Sequence, residues 1–124
     1  MNDAVAPAHP LILIQSAPYA GSLARSAVDA ALGLAVFNQS PAVLFTGPGV
    51  RCLAPGQNPA LIGRKSLARV IDSFPIYDIE EVHVDGTALA EHGMESSDLP
   101  AYATVLDATE VQQLCSAAAQ ILSF

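Results

Sequence analysis

Apolar positions in this chain fall into short blocks whose period switches between strand and helix, and that switching is the first evidence of fold class. Leu11-Ile12-Leu13-Ile14 is a continuous β-favouring run between Pro10 and Ser16-Ala17-Pro18, which predicts a strand buried on both faces. Ala20-Gly21-Ser22 opens a helix over 23–37. Its polar positions Ser22, Arg25, Ser26, Asp29 and Gly33 share one narrow stripe of a 3.6-residue repeat, so the helix is expected to be buried nearly all round. Asn38-Gln39-Ser40-Pro41 stops it, and 42–46 forms a second apolar strand ending at Gly47-Pro48-Gly49. Strand, helix, strand is the parallel crossover unit.

The pattern then repeats. Turn formers crowd 55–59, after which Leu61, Ile62, Leu67, Val70 and Ile71 mark a helix over 61–74 that Pro75 should end. Alternation of Ile79, Val82 and Val84 with Glu81, His83 and Asp85 predicts a third strand over 79–84 with one face partly open. A short helix runs from Asp85-Gly86-Thr87 through His92, with Gly93 placed to close it and His92 favoured there by the helix dipole. A fourth strand spans 101–106, Asp107 caps a helix over 108–118, and 120–124 is a short fifth strand. Five strands alternating with helices define an α/β, three-layer α/β/α fold around an open, five-stranded parallel sheet. Functional positions in such a sheet lie at the carboxyl ends of the strands.

Composition narrows the function classes. The 124 residues suit a single domain over 1–124, with 1–9 expected to be a flexible N-terminal extension, and are enough to bury a core without a disulfide or metal. Twelve acids against 5 bases give a net charge of −7, which argues against direct nucleic-acid binding, since phosphate contacts need clustered Lys and Arg. Charged residues make up 14% and hydrophobic ones 52%, an imbalance that suggests surface given over to subunit contact in an oligomer. No basic residue precedes the run at Leu11, and that run is too short for a signal or membrane segment, so a cytoplasmic protein away from the membrane is expected.

Candidate chemistry is sparse. Cys52 and Cys115 lack zinc-finger or CxxC spacing, His9, His83 and His92 form no helical i, i+4 pair, and no metal or cofactor is expected. Gly47-Pro48-Gly49 lacks the third Gly of the dinucleotide fingerprint, Gly63-Arg64-Lys65-Ser66 lacks P-loop spacing, and no GxSxG is present. Cys52 lies beside Arg51 just beyond a strand, where a cation could lower a thiol pKa, although a packing role is the simpler reading. A persulfide-cradling loop would need backbone amides around that sulfur, and Pro55 supplies none. Cys115, among Leu114, Ala118 and Ala119, reads as core.

Several segments together resemble the TusC/DsrF group of the DsrE/DsrF-like sulfur-relay superfamily. They are the first strand with residues 16–22, Phe45-Thr46-Gly47-Pro48-Gly49-Val50 leading into Leu53-Ala54-Pro55-Gly56-Gln57, Tyr77-Asp78-Ile79-Glu80, and terminal Leu122-Ser123-Phe124. The resemblance implies a subunit of a sulfurtransferase complex that passes a persulfide between cysteines, ending in 2-thiolation of the tRNA wobble uridine. Its implied partners are TusB-like and TusD-like homologous subunits and, indirectly, a small TusA-like persulfide carrier. The carrier subunit of that superfamily holds its cysteine at the turn after the third strand, where this chain has Asp85. A carboxylate cannot carry sulfane sulfur, so the resemblance implies a non-carrier subunit without catalytic residues of its own; Asp85, at a helix N-terminus, reads as a cap, with a carboxylate that orients a partner's thiol or takes its proton as the alternative. Two other readings stay open: a persulfide-carrying enzyme using Cys52, and a stand-alone small-ligand-binding α/β protein with its ligand near Tyr19 and Gly47.

Overall fold

The computed structural model describes residues 9–18, 21–55 and 67–124. The expected N-terminal extension lies almost wholly outside them, as do residues 61–66 of the helix expected to begin at Leu61. Five strands, β1 (Leu11–Ile14), β2 (Ala42–Phe45), β3 (Val82–Asp85), β4 (Ala103–Leu106) and β5 (Ile121–Ser123), form one sheet in the order β4-β3-β2-β1-β5. Every adjacent pair is parallel. Four helices connect them: α1 (Leu23–Val36), α2 (Leu67–Ile71), α3 (Gly86–Glu91) and α4 (Ala108–Ala117). The expected α/β, three-layer α/β/α fold with a five-stranded open parallel sheet is therefore present.

Strand alternation assigns the two layers. Ile12, Ile14, Val43, Phe45, Val82 and Val84 point to one face, where they share a core with Ala24, Ala27, Val28 and Ala31 of α1, Leu67 and Ile71 of α2, and Ala88 and Leu89 of α3. Leu11, Ala42 and Leu44 point to the other face and meet α4 through Val111, Leu114, Cys115 and Ala118. Among the described residues, three α-helices thus cover one face and α4 the other. Central β1 and β2 are accordingly apolar at every position, whereas edge strand β5 is exposed throughout. Cys115 is only half-buried, because it sits at the fringe of the smaller cluster under a single helix.

α1 corrects an expectation. Only Ala24, Ala27, Val28 and Ala31 are buried, at the i, i+3, i+4, i+7 spacing of one face, while Leu23, Val36 and Phe37 are exposed. A crossover helix in an outer layer meets the sheet on one side only, so a broad apolar circumference becomes exposed apolar surface. Besides the short Ser96–Asp98, two proline-started 3-10 helices were not anticipated. One, Gly47–Leu53, follows β2 directly with Pro48 in its first turn, where the missing amide hydrogen is not needed. The other, Phe74–Tyr77, contains Pro75 in its first turn, so that proline starts an element where the sequence suggested a stop. Asp78 then turns the chain in the left-handed conformation, and β3 begins only at Val82, with Ile79 buried but outside the strand. β4 likewise begins at Ala103, two residues later than the alternation suggested.

Candidate functional site

Connections after β1, β2 and β3 lead to helices on one face, and the connection after β4 leads to α4 on the other. The split falls between the carboxyl ends of β3 and β4, and it is at such switch points that open α/β sheets bind ligands. Asp85 ends β3 and Asp107 follows β4, so two carboxylates flank this crevice. Both are helix caps. Asp107 accepts from the Glu110 amide at 2.8 Å, while the Glu110 side chain accepts from the Asp107 amide at 3.0 Å, a reciprocal capping box. Asp85 Oδ1 accepts from the Thr87 amide at 3.0 Å, and α3 closes at Gly93, whose φ of +68° suits glycine.

The second oxygen of Asp85 is engaged as well. Thr46 Oγ1, at the end of β2, donates to Asp85 Oδ2 at 2.7 Å. The carboxylate thereby joins β2, β3 and the first turn of α3, with both oxygens held and lone pairs to spare. Space beside it is tight, since a Cβ on Gly86 would stand 3.0 Å from the Leu106 carbonyl oxygen and 3.1 Å from a Val105 methyl. Such an arrangement can fix a loop or orient a thiol brought by another chain. It cannot form a bond to sulfane sulfur.

The helix Gly47–Leu53 packs against β2, β3, α2 and α3 and carries Cys52 inward. Cys52 is fully buried in the larger core, and its Sγ donates to the Ser16 carbonyl oxygen at 3.7 Å, tethering this helix to the end of β1. Burial pushes the Cys52 thiol up to about 12, with a hydrogen bond from its own backbone opposing only in part. Arg51 beside it is exposed and its charge does not govern the thiol, in keeping with the packing reading of Cys52 rather than the one in which an adjacent cation lowers its pKa. The structure therefore separates Cys52, within the core, from Asp85, at the crevice. Tyr19, expected to line a ligand site with Gly47, lies outside the described residues.

Two polar side chains have surroundings that the sequence does not signal. Tyr102 donates a 2.7 Å hydrogen bond to Asp72, and burial, that bond and the Asp72 charge all raise its pKa. His83 lies on the α4 side of β3, with both ring nitrogens buried and no hydrogen-bond partner among the described residues; Nε2 stands 3.7 Å from Glu81. Alternation alone placed His83 on a partly open face, but no sequence signal marked its lack of partners. Among the described residues no group of three or more His, Cys, Asp or Glu side chains is placed to hold a metal ion, and no helix is long and apolar enough to cross a membrane.

Crossovers to opposite faces of a five-stranded parallel sheet, with a capped carboxylate at the strand ends, define an open-sheet α/β protein. Residues 9–124 match the DsrE/DsrF-like family, and the chain belongs to it. Curated relatives named "Protein TusC homolog" include one from Vibrio parahaemolyticus, 36% identical over 90% of this chain and 95% of its own length. Another, from Vibrio vulnificus, is 37% identical over the same shares, and one from Pseudomonas aeruginosa is 30% identical over 91% of this chain and 95% of its own length. The crystal structure of the ychN protein from E. coli superposes with a TM-score of 0.82 at 17% identity, covering 95% of this chain and all of that one, which supports the fold alone.

Proposed function

We propose that this chain, acting as one domain, is a non-carrier subunit of a cytoplasmic sulfur-relay complex. In this reading it supports persulfide transfer for wobble-uridine 2-thiolation or related sulfur trafficking, beside TusB-like and TusD-like homologues and downstream of a TusA-like carrier. Membership in the DsrE/DsrF-like family and the TusC-named relatives support a sulfur-relay subunit. The observation that carries the non-carrier assignment is Asp85 at the end of β3, with both carboxylate oxygens held by Thr46 and Thr87. Relay requires a thiolate to attack the outer sulfur of a persulfide, taking that sulfur and releasing the donor thiolate. Asp85 offers no thiol, and Cys52 is buried with its thiol pushed up to about 12, so a negligible fraction is thiolate at neutral pH.

Intact-mass analysis after incubation with a persulfidated donor tests the assignment. The expected result is no added sulfur on this chain while a thiol-bearing homologue in the same mixture gains 1 atom, about 32 Da. One sulfur atom on this chain, lost in Cys52→Ser, would transfer the carrier role to Cys52 and overturn the proposal.

A further inference from the structure

Among the described residues the three most exposed large apolar side chains, Ile76, Phe37 and Val36, gather at one end of one layer with Tyr77 beside them. Phe37 is 78% exposed and Val36 66%, at the C-terminal end of α1; Ile76 is 79% and Tyr77 45% exposed, in the 3-10 helix Phe74–Tyr77. Both elements stand on the same face of the sheet and are in contact with each other. Both also end where the following strand is about to begin, which places them together at the amino-terminal edge of the sheet, away from Asp85. Each apolar pair is followed by a left-handed residue, Asn38 at φ 60° and Asp78 at φ 62°, where the chain turns off. With roughly 150–250 Å2 for a whole aromatic side chain, the four expose on the order of 500 Å2. That matches the largest patch found on a typical monomer, often a functional one, and approaches the ~800 Å2 per partner of a standard interface.

Charge selects the occupant. Every acid of the chain except Asp3 and Asp29 follows Arg69, and no Lys or Arg does. On the 3-10 side the rim therefore carries exposed Asp78, Glu80 and Glu81, while on the α1 side it carries neutral Asn38 and Gln39. Arg25, the only Lys or Arg of α1, lies far from this end and pairs with Asp29 at 3.3 Å. A second copy docking here would bring three more acids and, from these two segments, no Lys or Arg to pair with them, which leaves the acidic rim uncompensated. We infer that Val36, Phe37, Ile76 and Tyr77 form the docking surface for a different protein subunit, one that presents an apolar contact ringed by Lys and Arg.

This inference rests on the subunit reading, and the test separates the two. The probe is the purified thiol-bearing DsrE/DsrF homologue of similar length from the same organism, titrated against this chain at 50 and 300 mM salt. Phe37→Ser/Ile76→Ser should weaken binding at least 10-fold with an unchanged thermal melt, because both side chains are already in water. Asp78→Asn/Glu80→Lys should weaken it comparably at low salt, and wild-type affinity should fall as salt rises. Ile121→Ser/Leu122→Ser, on the edge strand β5, should remain within threefold of wild type. Binding that is indifferent to Phe37 and Ile76 but lost on changing Ile121 and Leu122 would overturn the docking surface and leave the subunit reading intact. A homodimer of this chain that dissociates in Phe37→Ser/Ile76→Ser would overturn the choice of occupant. No binding by the wild-type chain would overturn both.

Discussion

Thr46 Oγ1 donates a 2.7 Å hydrogen bond to Asp85 Oδ2, joining the ends of β2 and β3 across 39 residues of chain. The same carboxylate caps α3 through the Thr87 amide, so one side chain fixes three elements at the switch point of the sheet. On the proposed non-carrier reading, Asp85 stands where a carrier subunit would hold its cysteine. A thiolate and a carboxylate benefit from the same helix terminus, so a loop that loses its thiol can keep its geometry by substituting an acid.

Asp85→Ala should therefore cost about 2 kcal/mol, combining a lost cap with a lost charge-assisted bond. Asp85→Asn keeps an oxygen for the Thr87 amide and offers its NH2 to the Thr46 hydroxyl, which can accept as well as donate. It should melt within a degree or two of wild type and sustain sulfur transfer in the reconstituted complex. A folded, assembled but inactive Asn variant would show that the carboxylate acts on a partner's thiol.

Burial makes the stability of this protein sensitive to alkali through Cys52. In the unfolded chain the thiol ionises near 9.0, while in the folded chain it stays protonated to about 12. As pH rises the unfolded state loses its proton first, so stability contributed by the neutral buried thiol is intact below pH 9 and is lost between 9 and 12. At 1.36 kcal/mol per unit the total loss is about 4 kcal/mol. Urea melts should show wild type falling faster than Cys52→Ala over that range, a comparison in which Tyr102 is common to both. Iodoacetamide at pH 8 should label Cys115 well before Cys52; equal rates would contradict the burial.

Legibility in the sequence followed the physics of each element. β1, β2 and α4 were readable because uninterrupted apolar runs and an Asp cap followed by Glu at the third helical position leave few alternatives. The two 3-10 helices that carry proline in their first turn are hard to read because proline serves equally as a stop or as a first-turn residue, and only packing decides. α1 was read as buried because periodicity reports how wide an apolar face is, not how much of it the sheet can reach. At the site, the Asp85 cap is a local feature and was anticipated. The Thr46 bond to it and the inward rotation of Cys52 depend on residues distant in sequence, and no spacing rule reports them.

His83 supplies a test of the opposite sign. Its two ring nitrogens are buried without hydrogen-bond partners among the described residues, on a strand whose flanking positions are Val82 and Val84. An unmet buried polar group costs about 1–3 kcal/mol, and a β-branched residue suits a pleated, half-buried position. His83→Val is expected to raise stability by about 1 kcal/mol, a gain of roughly 3 to 5 °C in a domain of this size. A loss of similar size would mean that His83 holds a partner, such as a bound water, that the valine cannot replace.

Two glycines, replaced in the same way, should respond in opposite directions. A Cβ at Gly49 would collide with the Ile14 carbonyl oxygen, stand 2.7 Å from its carbonyl carbon and 3.1 Å from the Gln15 nitrogen. All three are backbone atoms of β1 and the residue after it, so no side-chain rotation relieves the contact. The helix Gly47–Leu53 would have to lift off the end of β1, breaking the Cys52 hydrogen bond to Ser16 and opening the core around Val50 and Leu53. Gly49→Ala should therefore cost about 3 kcal/mol or more and expose Cys52 to alkylation at pH 8. Gly33, in the exposed part of α1, has nothing within 4 Å of the new methyl group. There Ala removes the entropic cost of an unbranched backbone in mid-helix, and Gly33→Ala should stabilise by about 0.5–1 kcal/mol. Chemical denaturation of the two variants beside wild type measures both signs, and a Gly49→Ala protein as stable as wild type would contradict the close approach on which the placement of Cys52 depends.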